Sequence, residues 1–239
     1  MRSKGDASSL GQQLYKFGLA EIILALAIVS STSFAQADSI NPGIYSKDSA
    51  PYGIPYKVWI TRWWQWNIEI PKAEHPRLDP IGEKCAIGQE GPVWFLTDLE
   101  NSGKVERTCT IPTGKAILFP VQSGECDYGD PTVKTDSDLR QCTIEGNDYA
   151  VIGATVDGVR LKDLEQYRIQ SDFFNITIPA DNIYDVNAGT FKAMSEGFFV
   201  FLEPLSPGRH DIHFTTNVLN PVKPSYNHAI DTTYHLIVK

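Results

Sequence analysis

Eight short segments after residue 90 constrain the fold of this chain most strongly. Each combines aromatic and β-branched residues and is bounded by Gly, Pro, Asn or Asp, which is typical of β-strands separated by turns. The segments are GPVWFLTDL, KVERTCTIP, GKAILFPVQ, YAVIGATVDG, FFNITIP, GFFVFLEPL, RHDIHFTTN and DTTYHLIVK. Strands at this spacing predict a mainly β fold, an antiparallel two-sheet sandwich or jelly roll.

Two local patterns add detail to this prediction. GFFVFL, at 197–202, is apolar at every position and does not alternate. A strand of this kind is typical of the centre of a sheet, where both faces are covered. Asp157 and Gly158 stand between two apolar runs, and this dipeptide predicts a hairpin turn.

One amphipathic helix is predicted before the strands, between Pro55 and Pro71. Proline suits the first turn of a helix and cannot continue one, so both ends carry a signal. An apolar stripe follows the helical spacing of i, i+4, i+7 and i+11, and its members are Trp59, Trp63, Trp66 and Ile70. We expect this aromatic face to pack on a sheet rather than to stack on sugar rings, because a stripe at helical spacing is normally part of a core.

The first 37 residues have the layout of a secretory signal peptide. Three cations, Arg2, Lys4 and Lys16, precede a mostly apolar stretch at 17–29, and small residues follow up to Ala37. The apolar stretch is shorter than the ~20 residues of a membrane-spanning helix, so an uncleaved membrane anchor is the weaker alternative. The sequence therefore predicts a secreted or extracytoplasmic protein, with a loose leader at 38–54 and a single β-sandwich domain at 55–239.

Export affects how the four cysteines are interpreted. Cys85, Cys109, Cys126 and Cys142 form an even set, and an oxidising compartment favours disulfides. Of the three pairings, Cys85 with Cys109 and Cys126 with Cys142 is favoured, because each would close a short segment. A zinc site is the weaker alternative, since the chain lacks CxxC spacing.

Charge and motifs exclude several classes of function. The chain has 29 acidic and 21 basic residues and a formal net charge of -8, so nucleic acid is not expected as a partner. No P-loop, dinucleotide-binding, zinc-protease or nucleophile-elbow motif is present. The sequence therefore favours no particular reaction, and it does not predict an oligomeric state.

A polar loop between the helix and the first strand is the first candidate site. Loops held on a rigid sandwich commonly present binding groups. We expect this loop to be ordered, and we expect Asp79 with Gln89 to contact a ligand, together with Glu90 and Trp94. Solvated loop carboxylates are the simpler interpretation of the same pattern.

An acidic segment, ECDYGDPTVKTDSDLRQC, is the second candidate site. Calcium takes six to eight oxygen ligands, and clustered carboxylates can supply them. The candidate ligands are Asp127, Asp130, Asp136 and Asp138. The spacing is not that of an EF-hand, and a solvated acidic loop is the alternative. No other cofactor is predicted.

Several blocks of the sequence resemble a widespread family of uncharacterised secreted prokaryotic proteins. The blocks are RWWQWNIEIP, GQEGPVWFL, RTCTIPTGKAILFPV, PLSPGRHDIHF and TTYHLIV, and the resemblance runs from about Trp59 to the end of the chain. It implies membership of a secreted family and carries no activity, ligand or catalytic residue with it. The last two blocks also resemble the final strands of many extracellular β-sandwiches, which agrees with the predicted fold by analogy only.

Two hypotheses about function follow. The first is a non-catalytic extracytoplasmic module that binds a glycan, an envelope component or a partner protein, and the absence of a catalytic motif favours it. The alternative is a secreted hydrolase or lyase that acts on polysaccharide with a carboxylate pair drawn from the polar loop and the acidic segment. A cleft that contains two buried carboxylates would favour the enzyme.

Overall fold

The computed structural model describes residue 41 and residues 43–99 and 103–239. The predicted signal peptide lies outside these residues. Within the described part, no helix has the length and apolar character needed to cross a membrane. Part of the predicted leader is bound to the sheet, because the N–H of Tyr45 donates to the Phe201 carbonyl oxygen (2.9 Å) and Gly43 accepts from the N–H of Glu203 (2.8 Å).

The described residues form a mainly β structure with two α-helices. The helices are α1 (Tyr56–Glu69) and α2 (Asp136–Glu145). The strands are β1 (Val93–Phe95), β2 (Gly103–Ile111), β3 (Ala116–Asp127), β4 (Ala150–Val156), β5 (Val159–Arg160), β6 (Arg168–Gln170), β7 (Phe174–Ile178), β8 (Gly189–Leu202), β9 (Gly208–Val218) and β10 (His228–Val238). The short strands β5 and β6 were not predicted. Asp157 and Gly158, with φ of 51° and 76°, form the predicted turn between β4 and β5.

Ten strands form two sheets that pack as a sandwich. Sheet 1 has the order β1-β3-β8-β6, and β7 pairs with β8 beside β6, while sheet 2 has the order β2-β10-β9-β4-β5. The predicted sandwich is confirmed, but both sheets are mixed rather than purely antiparallel. β1 runs parallel to β3, and β2 runs parallel to β10. The chain leaves β1 for the other sheet instead of turning back in a hairpin, and β2 then lies beside the last strand.

Sheet 1 is covered on both faces. Phe119 and Val200 belong to the core between the two sheets, whereas Leu118 and Phe199 pack with α1 on the opposite face. Successive residues of a strand point to opposite faces, so strands buried on both sides must be apolar at every position. This arrangement confirms that 197–202 is a central strand and makes the molecule three layers deep.

The aromatic face of α1 packs on sheet 1, and hydrogen bonds to neighbouring backbone segments hold its indoles in place. The indole Nε1 of Trp63 donates to the Leu96 carbonyl oxygen (2.9 Å), and that of Trp59 donates to the Pro51 carbonyl oxygen (3.0 Å). Both side chains are buried. Burial of an indole is favourable when its N–H finds a partner, and here backbone carbonyls provide it. The helix therefore has the structural role that its periodicity predicted.

Two disulfides join the pairs that were favoured from the sequence, Cys85 with Cys109 and Cys126 with Cys142. The first attaches the loop before β1 to β2, and the second attaches β3 to α2. The acidic segment is therefore not the predicted loop throughout, since part of it is the helix α2. The cause is local: Thr135 and Asp138 form a reciprocal capping box at the start of α2.

We predict that Trp63→Ala destabilises the fold by about 3–5 kcal/mol, because it removes a large buried side chain and leaves a cavity. The free energy of unfolding can be measured by chemical denaturation with the disulfides intact. Thr61→Ala, on the same helix but partly exposed, serves as the control and should change the stability by less than about 0.5 kcal/mol. Equal stability of the two variants would contradict a structural role for the tryptophan face.

Candidate functional site

Asp79, the first predicted ligand-binding residue, is buried within its own loop. Its carboxylate accepts hydrogen bonds from the backbone N–H groups of Ile81 and Gly82 (3.0 Å each) and of Lys84 (2.7 Å). Burial alone would raise the pKa of Asp79, but these three donors outweigh it and hold the pKa below its usual value. The carboxylate closes a turn, so its contacts are those of a structural brace.

The other residues of the first candidate site are not brought together with Asp79. The side-chain amide of Gln89 donates to the Phe95 carbonyl oxygen (2.8 Å) and accepts from the Phe95 N–H (2.9 Å), which continues the edge of sheet 1 beside β1. Trp94 is buried in the core between the sheets, and Glu90 is exposed. The loop is ordered, as expected, but its polar side chains hold the backbone.

The four predicted calcium ligands have separate partners. Asp138 caps α2, and Asp136 forms an ion pair with Lys192 of β8 (2.6 Å). Asp127 and Asp130 each accept hydrogen bonds within the turn after β3. Among the residues that the structure describes, no group of three or more His, Cys, Asp or Glu side chains could hold a metal ion. In the described structure, the carboxylates of the acidic segment form a helix cap, two turns and an ion pair.

A groove runs along the open edge of β3, and we call it the β3 groove. β1 pairs with β3 only over Ala116–Leu118, so in the described part of the chain the rest of β3 has a strand on one side only. Two adjoining cavities of about 360 and 650 Å³ follow this edge. Both are lined by Trp64, Gln122, Ser123 and His228.

The walls of the β3 groove come from both sides of the sandwich. Trp64 projects from α1, and His228 begins β10 on the opposite side. The imidazole Nε2 of His228 lies 2.8 Å from the side-chain oxygen of Gln122. At the end with the smaller cavity, Arg77 forms two contacts with the Asp98 carboxylate, at 2.9 and 3.0 Å. The groove is therefore built from side chains that other contacts hold in place.

A β-bulge determines which residues of β3 face α1. The register with β8 shifts between Pro120 and Gln122. A bulge inserts one residue and so reverses the faces of the residues that follow it. Beyond the shift, Glu125 is opposite Ser195 and Asp127 is opposite Ala193, which packs in the cluster beneath α1. Both carboxyl groups therefore lie on the helix side of sheet 1, at the groove.

Two buried polar groups at the β3 groove have no hydrogen-bond partner among the described residues. They are the indole Nε1 of Trp64 and the carboxyl Oε1 of Glu125. The neighbouring indoles of Trp59, Trp63 and Trp66 all donate to backbone carbonyls, so Trp64 is an exception on its helix. Buried polar groups in folded proteins are almost always satisfied by protein, ordered water or a ligand. Both residues line the 650 Å³ cavity, and the two unpartnered atoms lie buried at its wall.

The environment of Glu125 favours the neutral form of its carboxyl group. Burial, with the nearby Asp127 carboxylate as a second cause, raises the pKa of Glu125 well above its usual value. Burial also raises the pKa of Asp127, but the backbone N–H of Gly129 donates to this carboxylate and opposes the shift. Glu125 thus offers a hydrogen-bond donor as well as acceptors, which an ionised carboxylate cannot do.

Neither Trp64 nor Glu125 was singled out from the sequence as a site residue. In the sequence, Trp64 only adjoins the apolar stripe of α1, and Glu125 is one of several carboxylates in the acidic segment. A usable signal was present in β3, where the apolar run AILFPV changes to the polar run QSGECD within one strand. A strand that changes character in this way leaves the core and reaches a polar surface.

We predict that Asp79→Asn lowers the free energy of unfolding by about 1–3 kcal/mol at neutral pH, because it weakens charge-assisted hydrogen bonds at a buried turn. The folded-state pKa of Asp79 is depressed. The stabilisation by Asp79 is therefore complete above the unfolded-state pKa and is lost as the pH falls through the folded-state pKa.

Denaturation curves of the two proteins should accordingly differ at pH 7 and converge as the pH falls below the lowered folded-state pKa of Asp79. Glu90→Gln, an exposed carboxylate of the same loop, is the control and should match the unsubstituted protein throughout. A difference that is independent of pH would contradict the bracing role of the Asp79 carboxylate.

Comparison with known proteins gives distant structural likenesses only. No protein-family model matches the chain, and no curated protein has a significantly similar sequence. PbICP-C, solved in complex with falcipain-2, is 10% identical with a TM-score of 0.24 and covers 62% of this chain and 100% of its own. The cysteine protease inhibitor EhICP2 from Entamoeba histolytica is 13% identical with a TM-score of 0.24, over 62% of this chain and 96% of its own. Amebosin is 12% identical with a TM-score of 0.20, over 63% and 100%. Likenesses at this level carry no conclusion about function.

Proposed function

We propose that this protein is an extracytoplasmic glycan-binding protein and that neutral, hydroxyl-rich sugars occupy the β3 groove. The observation that carries the proposal is that Trp64 and Glu125, two residues that line the same cavity, each have a buried polar atom without a hydrogen-bond partner among the described residues. A groove of about 650 Å³ falls within the usual range for small-molecule sites.

The chemistry around the groove suits a hydroxyl group better than an ion. The Trp64 indole is a donor, and the Glu125 carboxyl, whose raised pKa favours its neutral form, can both donate and accept. A cation would use only acceptors and an anion only donors, whereas a sugar hydroxyl matches both.

Two further features support a neutral sugar. Aromatic rings of Trp64, Tyr184 and Tyr226 line the larger cavity, and such rings can cover the apolar faces of a sugar. Asp127 and Asp130 line the same cavity, and the formal net charge of the chain is -8, so an anionic ligand would be repelled.

The disulfides support a site that is formed before the ligand arrives. Cys126 lies between Glu125 and Asp127 and is bonded to Cys142 of α2. This bond holds the polar half of β3 against a second element. A rigid site loses little conformational entropy on binding, which favours affinity for small ligands.

We predict that Trp64→Phe weakens glycan binding about five- to tenfold, because it keeps an aromatic ring and removes one hydrogen bond worth roughly 1–1.5 kcal/mol. Isothermal titration calorimetry with neutral linear hexasaccharides (cellohexaose, xylohexaose, mannohexaose, chitohexaose and maltohexaose) provides the measurement. Circular dichroism verifies that the variant is folded.

Trp94→Phe is the matched control. Its indole Nε1 is also buried without a partner in the described part of the chain, but it lies between the two sheets. This substitution should leave the affinity unchanged. The proposal fails if no hexasaccharide of the panel binds, or if both variants lose affinity equally.

A further inference from the structure

Glu125 and Asp127 are paired carboxyl groups within the β3 groove. They are two residues apart on one strand, and their cross-strand partners place both on the helix side of sheet 1. Residues two apart in a strand share a face, and their Cα atoms are about 6.5–7 Å apart. Both line the 650 Å³ cavity that is also lined by Trp64, whose buried indole N–H has no partner among the described residues.

We infer that Glu125 and Asp127 act as the acid and the base that hydrolyse a glycosidic bond of the bound glycan. This inference rests on the proposed glycan site and adds an activity to it. The unpartnered indole of Trp64, 7% exposed, is the independent sign that the cavity holds a ligand.

The two carboxyl groups have different environments, as an acid and a base require. The Oε1 atom of Glu125 is buried without a hydrogen-bond partner among the described residues, whereas the Asp127 carboxylate accepts a backbone N–H from Gly129. The pKa of Glu125 is raised further than that of Asp127, and the charge of Asp127 contributes to that rise. A difference of this kind between the pKa values of two neighbouring carboxyl groups assigns Glu125 as the acid and Asp127 as the base.

The reaction is balanced with water as the only co-reactant. Glu125 gives its proton to the bridging oxygen as the bond from that oxygen to the anomeric carbon breaks. Asp127 takes a proton from a water molecule, whose oxygen forms the new bond to the anomeric carbon. Solvent then returns the proton from Asp127 to Glu125, and two shorter sugars leave.

The proposed roles predict the stereochemistry of the product. Water that Asp127 activates displaces the leaving sugar directly from the anomeric carbon, and this single displacement inverts the anomeric configuration, whereas attack by a carboxylate nucleophile would retain it. We therefore expect the first product to have the inverted configuration.

The test uses the full chain with its disulfides formed and the same five hexasaccharides. Shorter sugars should accumulate, as measured by anion-exchange chromatography, and proton NMR of early time points should show inversion. Glu125→Gln and Asp127→Asn should each lower the rate by at least about 100-fold. Calorimetry should give affinities within about threefold of the unsubstituted protein, since both side chains keep their size and polarity.

Glu165→Gln, an exposed carboxylate on a 3₁₀ turn away from the groove, is the matched control and should keep the full rate. The rate should fall at acidic pH as Asp127 gains a proton and at alkaline pH as Glu125 loses its proton.

Three results would overturn the inference. Binding without shorter products would remove the activity and leave the glycan site in place. Equal rates of cleavage in the control and in the two carboxyl variants would show that Glu125 and Asp127 do not catalyse the reaction. If no hexasaccharide binds and none is cleaved, the proposed function and this inference fail together.

Discussion

Arg107 is the buried cation around which the loop before β1, the end of β1 and strand β10 are assembled. It is 1% exposed, and its Nε donates to the Asp79 carbonyl oxygen (2.7 Å) while Nη2 donates to that of Pro76 (3.2 Å). Its Nη1 donates to the Thr97 carbonyl oxygen (2.6 Å) and the Tyr234 hydroxyl (2.9 Å). A buried charge is tolerated only when it is fully hydrogen-bonded. If one of these segments moved away, Arg107 would lose hydrogen bonds while it remained buried. Its hydrogen bonds therefore hold the segments together.

The candidate site depends on this arrangement. Arg107 also donates to the Asp98 carbonyl oxygen (3.0 Å), and the Asp98 side chain in turn holds Arg77 at the smaller cavity of the β3 groove. Burial raises the pKa of Tyr234, despite the opposing effect of Arg107, so its hydroxyl remains neutral and donates to the Thr97 carbonyl oxygen (2.6 Å). The hydrogen bonds of the buried Arg107 therefore fix the position of this wall of the β3 groove.

Patterns in the sequence predicted the elements that depend on residues close together in the chain. The stripe from Trp59 to Ile70 predicted a packed helix, and the continuous apolar run at 197–202 predicted a strand covered on both faces. The parallel pairing of β2 with β10 could not be predicted, because it joins segments far apart in the chain. The proposed role of Trp64 could not be predicted either. Trp63 donates its indole N–H to a backbone carbonyl and Trp64 does not, and the sequence does not show this difference. The site had to be found from three-dimensional contacts.

The bulge in β3 separates a part of the strand that packs in the core from a part that lines the β3 groove. Before it, Ile117 and Phe119 belong to the core, and any change there disturbs the packing of both sheets. At the bulge, Gly197 of β8 allows the close approach of the Gln122 backbone, because a Cβ atom would collide with it. Beyond the bulge, the side chains of Glu125 and Asp127 face α1 and do not belong to the core between the two sheets. Substitutions after the bulge can therefore change the side chains that line the β3 groove while the core between the two sheets keeps its packing.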